Sequence, residues 1–163
     1  YNFSFKNVKR VKRKNVLRNR GANNMKRYES QVKMIAASQS SVYRMLSDMN
    51  NVALIQDQIP ADQVKDLKFD ANSVSCNVSP VGTVSLSIID REPEKCIKFT
   101  TTQSPMAMTM WIQIVSTGDN SCKIRLTLEA DINPFIAKMV EKPLKDGLEK
   151  IADTLTVIPY NNF

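Results

Sequence analysis

Acid–base chemistry in this chain would have to come from carboxylates, tyrosines or cysteines, because its 163 residues include no histidine. That absence removes the commonest general base and every Ser-His or Cys-His arrangement. The carboxylates in or beside strand-like segments are Asp70, Asp90, Glu92, Glu94, Glu129 and Asp131. They lie in turns or alternate with apolar neighbours, so a solvated role is expected for them. Cys76, Cys96 and Cys122 are widely spaced, odd in number and free of any CxxC pairing. They read as buried thiols of a reducing, cytoplasmic compartment, and no metal or other cofactor is expected. Ser85 and Ser87 face away from Val84, Leu86 and Ile88. The glycines of the body, Gly82, Gly118 and Gly147, form no phosphate-cradling loop. No catalytic set emerges. What remains is a short list of polar groups that an apolar interior would notice: Tyr28 on the first strand, and Tyr43 beside Arg44 on the first helix.

A second pattern concerns binding. "PMAMTMWIQI" (105–114) places Met106, Met108 and Met110 at every second position, and Ile112 and Ile114 continue the register. This is a strand with one strongly apolar face. Methionine is flexible and polarisable, so it suits a surface that adapts to what lies opposite. Either a loosely specified core or a ligand-lined hollow satisfies the pattern. Trp111 alternates with the methionines and belongs on the other face, where it packs on the sheet or meets a partner.

The elements that must position these residues follow from periodicity. "YESQVKMIA" (28–36) alternates and predicts a strand with Val32 and Met34 on one side. Ser38 is a candidate N-cap for a helix with Val42, Met45, Leu46 and Met49 at helical spacing. "NNVALIQDQIP" predicts a second short helix ending before Pro60. Six strands are then predicted over 64–71, 73–79, 83–92, 95–103, 107–116 and 121–132, separated by Asn72, Pro80 with Gly82, Pro93, Pro105 and "TGDN". Short connections imply antiparallel neighbours. In the last strand Ile124, Leu126, Leu128, Ala130 and Ile132 oppose Lys123, Arg125, Thr127, Glu129 and Asp131, so one face is covered and one is wet. The cover is a helix with Asn133 as N-cap, Pro134 at its first position, and Phe135, Met139, Val140, Leu144, Leu148, Ile151, Ala152 and Leu155 at steps of three and four. Pro143 predicts a kink or short break near 141–143, and a bent helix leaves space against a twisted sheet. The expected fold is α+β, in the order β-α-α-β6-α: a curved seven-stranded antiparallel sheet around a long C-terminal helix.

Charge separates two regions. Lys6, Lys9, Arg10, Lys12, Arg13, Lys14, Arg18, Arg20, Lys26 and Arg27 make residues 1–27 strongly basic without an acid, whereas residues 28–163 are slightly acidic. Residues 1–24 are expected as a basic, disordered extension, and 25–163 as one domain. Three readings of the extension stay open: an arm contacting nucleic-acid phosphates, a transit peptide, or a stretch foreign to the native protein, since the first methionine is Met25. Oligomeric state is left open. No run of about 18 apolar residues is present to suggest a membrane span, and no secretory h-region is visible.

The order of elements, together with "SQSSVYRMLSDMNN", "IIDREPEKCIKF" and "LEADINPFIAKMVEKPLKDGLEKIADTL", resembles the SRPBCC superfamily, the START, polyketide-cyclase and birch-pollen-allergen-like helix-grip fold, over roughly residues 26–158. The resemblance implies a hydrophobic cavity between sheet and last helix that holds a lipid or another apolar small molecule. On this sequence its walls would be Val32 and Met34 of the first strand, Phe69 of the strand over 64–71, and Val84, Leu86 and Ile88 of the strand over 83–92. Met106, Met108, Met110, Ile112, Leu126 and Leu128 would line the last two strands, and Phe135, Met139, Leu144 and Leu148 the helix. Tyr28 and Tyr43 are the polar candidates at its mouth. Members of such a superfamily bind, carry or cyclise, and some associate with chaperones or ribosomes. The resemblance therefore implies ligand binding first, a cyclase or aromatase-like enzyme second and a protein-interaction module third.

Overall fold

The computed structural model describes residues 24–59, 62, 64–78 and 81–162. The basic tract over residues 1–23 lies outside the described residues. The chain runs through strands β1 (Met25–Glu29) and β2 (Lys33–Ile35), helix α1 (Gln39–Leu46), and 3-10 turns at Met49–Leu54 and Gln56–Gln58. There follow β3 (Val64–Phe69), β4 (Ser73–Val78), β5 (Gly82–Glu92), β6 (Cys96–Gln103), β7 (Met108–Gly118), β8 (Ser121–Asp131) and α2 (Ala137–Thr156), with a last 3-10 turn at Tyr160–Asn162. All strands join one antiparallel sheet in the order β1-β8-β7-β6-β5-β4-β3, with β2 also paired to β8. This is the expected helix-grip architecture.

Alternation builds the sheet as predicted. Cys122, Ile124, Leu126, Leu128 and Ala130 of β8 are buried on one face, as are Met108, Met110, Ile112 and Ile114 of β7. On the other face Lys98 stands over the Trp111 ring, 5.4 Å from its centroid, and Arg27 meets the Glu129 carboxylate at 3.2 Å. Trp111 thus packs on the outer face beneath a cation.

The first predicted strand is two strands. β1 pairs Glu29 with Thr127, and β2 resumes by pairing Lys33 with Ile124, so β2's side carries one extra residue. Ser30 holds this bulge. Its N–H donates to the Leu126 carbonyl, and its Oγ accepts the Leu126 N–H, both at 2.9 Å. An extra residue inverts the pleat for everything after it. Tyr28 and Ser30 therefore point inward, while Met34 pairs with Lys123 and shares its outer face. Val32 and Met34 are 46% and 62% exposed, and Ile35 takes the interior place expected of them.

The predicted second helix is a pair of 3-10 turns, started by Asp48, whose carboxylate accepts the Asn50 N–H. α1 begins where expected, with the Ser38 hydroxyl accepting the Ser41 N–H. Arg91 ties this end together, donating to the Ser47 carbonyl and to the Ala71 carbonyl and Asn72 side chain of the β3–β4 turn. The sheet's far edge, β3, is interrupted by a register shift around Asp66, whose φ is +56°. A bulge of this kind makes an edge strand a poor template for pairing.

α2 starts three residues later than its sequence suggests, at Ala137 instead of Pro134. Asn133 caps a turn, accepting the Phe135 N–H on its side chain and the Ile136 N–H on its carbonyl. Pro134 fits such a turn as well as it fits a helix start. Phe135 is left 93% exposed and Met139 72% exposed, so neither faces an interior. From Ala137 the helix runs unbroken through Pro143. The missing N–H would have bonded the carbonyl of Met139, which lies on the open side, where water can replace it. Leu148, Ala152 and Leu155 form the buried stripe. Lys33 pins the helix to the sheet, bridging Glu149 at 3.1 Å and Asp153 at 2.8 Å. The Tyr160 hydroxyl, donating to the Leu155 carbonyl at 2.6 Å, fastens the tail of the chain beneath it. Among the described residues no helix is long and apolar enough to cross a membrane.

Candidate functional site

Cross-strand pairing fixes which side chains share the concave face. One row runs Tyr28, Leu128, Met110, Phe99, Ile88 across β1, β8, β7, β6 and β5. A second runs Thr101, Leu86, Val74, Phe69 across β6, β5, β4 and β3, with Val84 beside Cys76 next to it. These rows are apolar apart from Tyr28 and Thr101. Thr101 is engaged locally, its hydroxyl accepting the Met108 N–H at 3.1 Å.

Burial along the rows is uneven. α2 makes its main contacts with β1, β2 and β8. At that end of the face Ile112, Leu126 and Leu128 are buried together with Leu148, and so are Met106, Met108 and Met110. The three methionines are core side chains in this conformation. At the other end Phe69, Val74, Val84, Leu86 and Ile88 are only half-buried, as are Val140 and Leu144 on the first turns of α2. The concave face thus changes from packed core to accessible apolar surface as it leaves the helix. Of the predicted cavity walls, Phe69, Val84, Leu86, Ile88 and Leu144 retain water-accessible area on this side. Val32, Met34, Phe135 and Met139 stand outside it. Two small concavities, of about 330 and 210 Å³, lie elsewhere, along the β1–α2 edge and around the C-terminal turn.

Tyr28 carries the face's one unexplained polar group. The residue is 6% exposed, and its hydroxyl makes no well-formed hydrogen bond among the described residues, although the Glu141 carboxylate is close enough to act as a loose acceptor. Lys145 of α2 lies 5.7 Å from its ring centroid. Burial, and secondarily the Glu141 carboxylate, hold the phenol above its ordinary pKa, so it stays protonated and can only gain by donating. Tyr28, Lys145 and Leu148 also line the larger concavity, with Arg27, Glu29 and Glu149. Glu141 and Lys145 were not singled out by the sequence. Their four-residue spacing puts them on one helix side, but nothing local names the strand they meet. Tyr43 is elsewhere, half-buried on α1 near Arg91 and Asp90, with its phenol also raised by burial. The structure does not bring the two tyrosines together.

The thiols are poor nucleophiles. Burial pushes Cys96 up to about 12 and Cys122 up to about 11, and raises Cys76 as well. A thiol held protonated neither attacks nor binds metal readily.

A family model described as polyketide cyclase/dehydrase and lipid transport matches residues 27–156. Among solved structures, a norcoclaurine synthase point mutant from Thalictrum flavum, in complex with a transition-state analogue, superposes with a TM-score of 0.65. It shares 19% identity over 81% of this chain and 92% of that one. A START superfamily protein from Mycobacterium smegmatis gives 0.54 at 16% identity, over 81% of this chain and 99% of that one. A protein from Thermobifida fusca gives 0.57 at 15%, over 85% and 94% respectively. At these identities the likeness is one of fold. Comparison with curated proteins gives no significant match.

Proposed function

The chain belongs to the polyketide cyclase/dehydrase and lipid transport family, and we propose from that premise that it binds or carries an apolar small molecule or lipid on the concave face, between β3–β5 and the first turns of α2. One observation carries the reading: Phe69, Val84, Leu86 and Ile88 point to the concave side yet stay half-buried, while Phe99, Met110 and Leu128, which continue the Ile88 row across β6–β8, are sealed. Covering apolar area of this kind contributes about 25 cal/mol per Å². Tyr28 lies at the opposite, β1 edge of that face, so its hydroxyl is a donor for a ligand that reaches across from the groove. The three unpaired thiols suit a reducing compartment, so the cytoplasm is the proposed location.

The test is native mass spectrometry of gently purified protein, followed by thermal shift with a panel of fatty acids, sterols and aromatic polyketides. A co-purified apolar species, or a panel member that raises Tm, is expected. Leu86→Glu places a charge on the groove wall and should abolish both signals while leaving the far-UV circular dichroism unchanged. No bound species and no shift from any panel member would sink the proposal.

The buried Tyr28 phenol beside Glu141 favours a second reading, in which a reactive chain lies across the concave face as far as the β1–α2 edge and the pair there moves a proton. Chemical conversion of the bound species by the wild type, absent in Tyr28→Phe, would select this reading over carriage.

A further inference from the structure

Two of the described glycines have local reasons. Gly82 adopts a φ of +103°, and a side chain on Gly118 would crowd the Ser121 hydroxyl. Gly147 has neither reason. It lies inside α2 without a positive φ, and a methyl group there would meet no described atom within 4 Å. Glycine in a helix interior is disfavoured against alanine. Neither backbone geometry nor close packing accounts for it.

Its place on the helix gives a reason. Successive residues step about 100° around an α-helix, so Gly147 and Glu149 stand on opposite flanks of buried Leu148. The Glu149 flank faces the β1–β2 edge. Glu149 accepts the Gln31 N–H and, with Asp153, bridges Lys33, while Lys145 lies by the Tyr28 ring. Gly147 therefore looks the other way, along the concave face as it continues toward β5, β4 and β3. Its companions on that flank are Val140 and Leu144, both half-buried, and Ile151, which is 44% exposed. One flank of α2 is thus charged and paired, and the other is aliphatic and open. Leu144 and Ile151 are seven residues apart, about 10 Å along the axis, and between them this flank holds only bare backbone.

We propose that Gly147 is the specificity-determining position of the groove: it makes room in the helix wall for a fused-ring ligand, wider than a single acyl chain, that a larger side chain would exclude. The gap between Leu144 and Ile151 seats a flat ring system edge-on, with Val84, Leu86 and Ile88 as the facing wall. A side chain filling the gap discriminates by clash, the commonest device by which an apolar site rejects a ligand of the wrong shape. The proposal rests on the groove taking an apolar ligand, and adds the residue that selects among such ligands.

Fluorescence titration with two probes tests it: dehydroergosterol, a fused-ring sterol, and cis-parinaric acid, a single acyl chain. The wild type should bind both. Gly147→Ala should raise Tm by about 2–4 °C, and Gly147→Leu should melt no lower than the wild type. Gly147→Leu should weaken dehydroergosterol about tenfold or more and cis-parinaric acid less than about threefold. Asp146→Leu, which adds the same bulk on the exposed side of α2, should leave both affinities unchanged. A wild type that binds neither probe would remove the groove reading, and this proposal with it. A wild type that binds both probes, with Gly147→Leu matching it or losing both equally, would overturn the proposal alone. So would a Tm decrease in Gly147→Ala, which would give the glycine a packing role.

Discussion

Replacing Tyr28 by phenylalanine should stabilise this protein and weaken its ligand binding, two effects of opposite sign from one oxygen. The hydroxyl is buried with Glu141 only loosely in reach and no well-formed hydrogen bond, and a buried polar group left unpaired costs about 1–3 kcal/mol. Phenylalanine keeps the ring and its packing against Leu128 and α2. Allowing for the small void left by the oxygen, the gain is about 1 kcal/mol, or a Tm increase of about 2–4 °C for a chain of this size. Differential scanning calorimetry at pH 7 reads it directly. The phenol's pKa is raised, so it is protonated throughout pH 6–9 and the increment should be flat across that range. For a ligand that accepts from Tyr28, affinity should fall about two- to tenfold, the worth of one neutral hydrogen bond. A Tm decrease of 2 °C or more would refute the reasoning. It would mean that Glu141 closes onto the phenol, and a Tyr28→Phe/Glu141→Gln cycle would then show strong coupling.

Ser30→Ala should cost about 1–3 kcal/mol in urea unfolding, because it strips the acceptor from the fully buried Leu126 N–H; a loss under about 0.5 kcal/mol would contradict the role given to the bulge. Alkaline stability should be governed by the buried thiols and, above pH 10, by the Tyr160 phenol, which burial also holds above its ordinary pKa. The folded pKa values of Cys96 and Cys122, about 12 and about 11, lie above the ordinary 9.0. The native state therefore holds these protons longer than the unfolded chain, and the stability this confers is complete below pH 9 and lost as pH climbs to 12. Cys96→Ala should flatten that decline, as measured by denaturant midpoints at successive pH values. At pH 8, Ellman's reagent should label half-buried Cys76 first, with Cys96 and Cys122 lagging.

Much of this architecture is legible in the chain because β strands with one covered face write their register in alternation. β7 and β8 are readable residue by residue, from Met108 to Ile114 and from Cys122 to Ala130. What is not legible has specific causes. The bulge rests on Ser30, and a serine inside a strand gives no warning that the pleat inverts after it. An otherwise sound count of alternation therefore puts Val32 and Met34 on the wrong face. Asn133-Pro134 reads equally as a cap and as a turn, and only the turn puts Phe135 in water. The methionine stripe marks the concave face correctly, yet whether such a face is sealed or open depends on where α2 lands, which is a tertiary fact. The accessible area falls instead on Val84, Leu86 and Ile88. The missing partner of Tyr28 is a property of two elements far apart in sequence and leaves no local trace.

Pro143 breaks one rung of α2 without interrupting its course. Residues 137–142 are therefore laced to the remainder by one fewer bond than any other stretch of equal length. They also hold fewer buried side chains than the turns around Leu148, Ala152 and Leu155. Amide exchange should report two tiers along a single continuous rod, a fast leading segment and a slow trailing one. The stretch bordering the half-open trough is thus the cheapest part of the helix to unwind, and it can loosen while the trailing turns keep their grip.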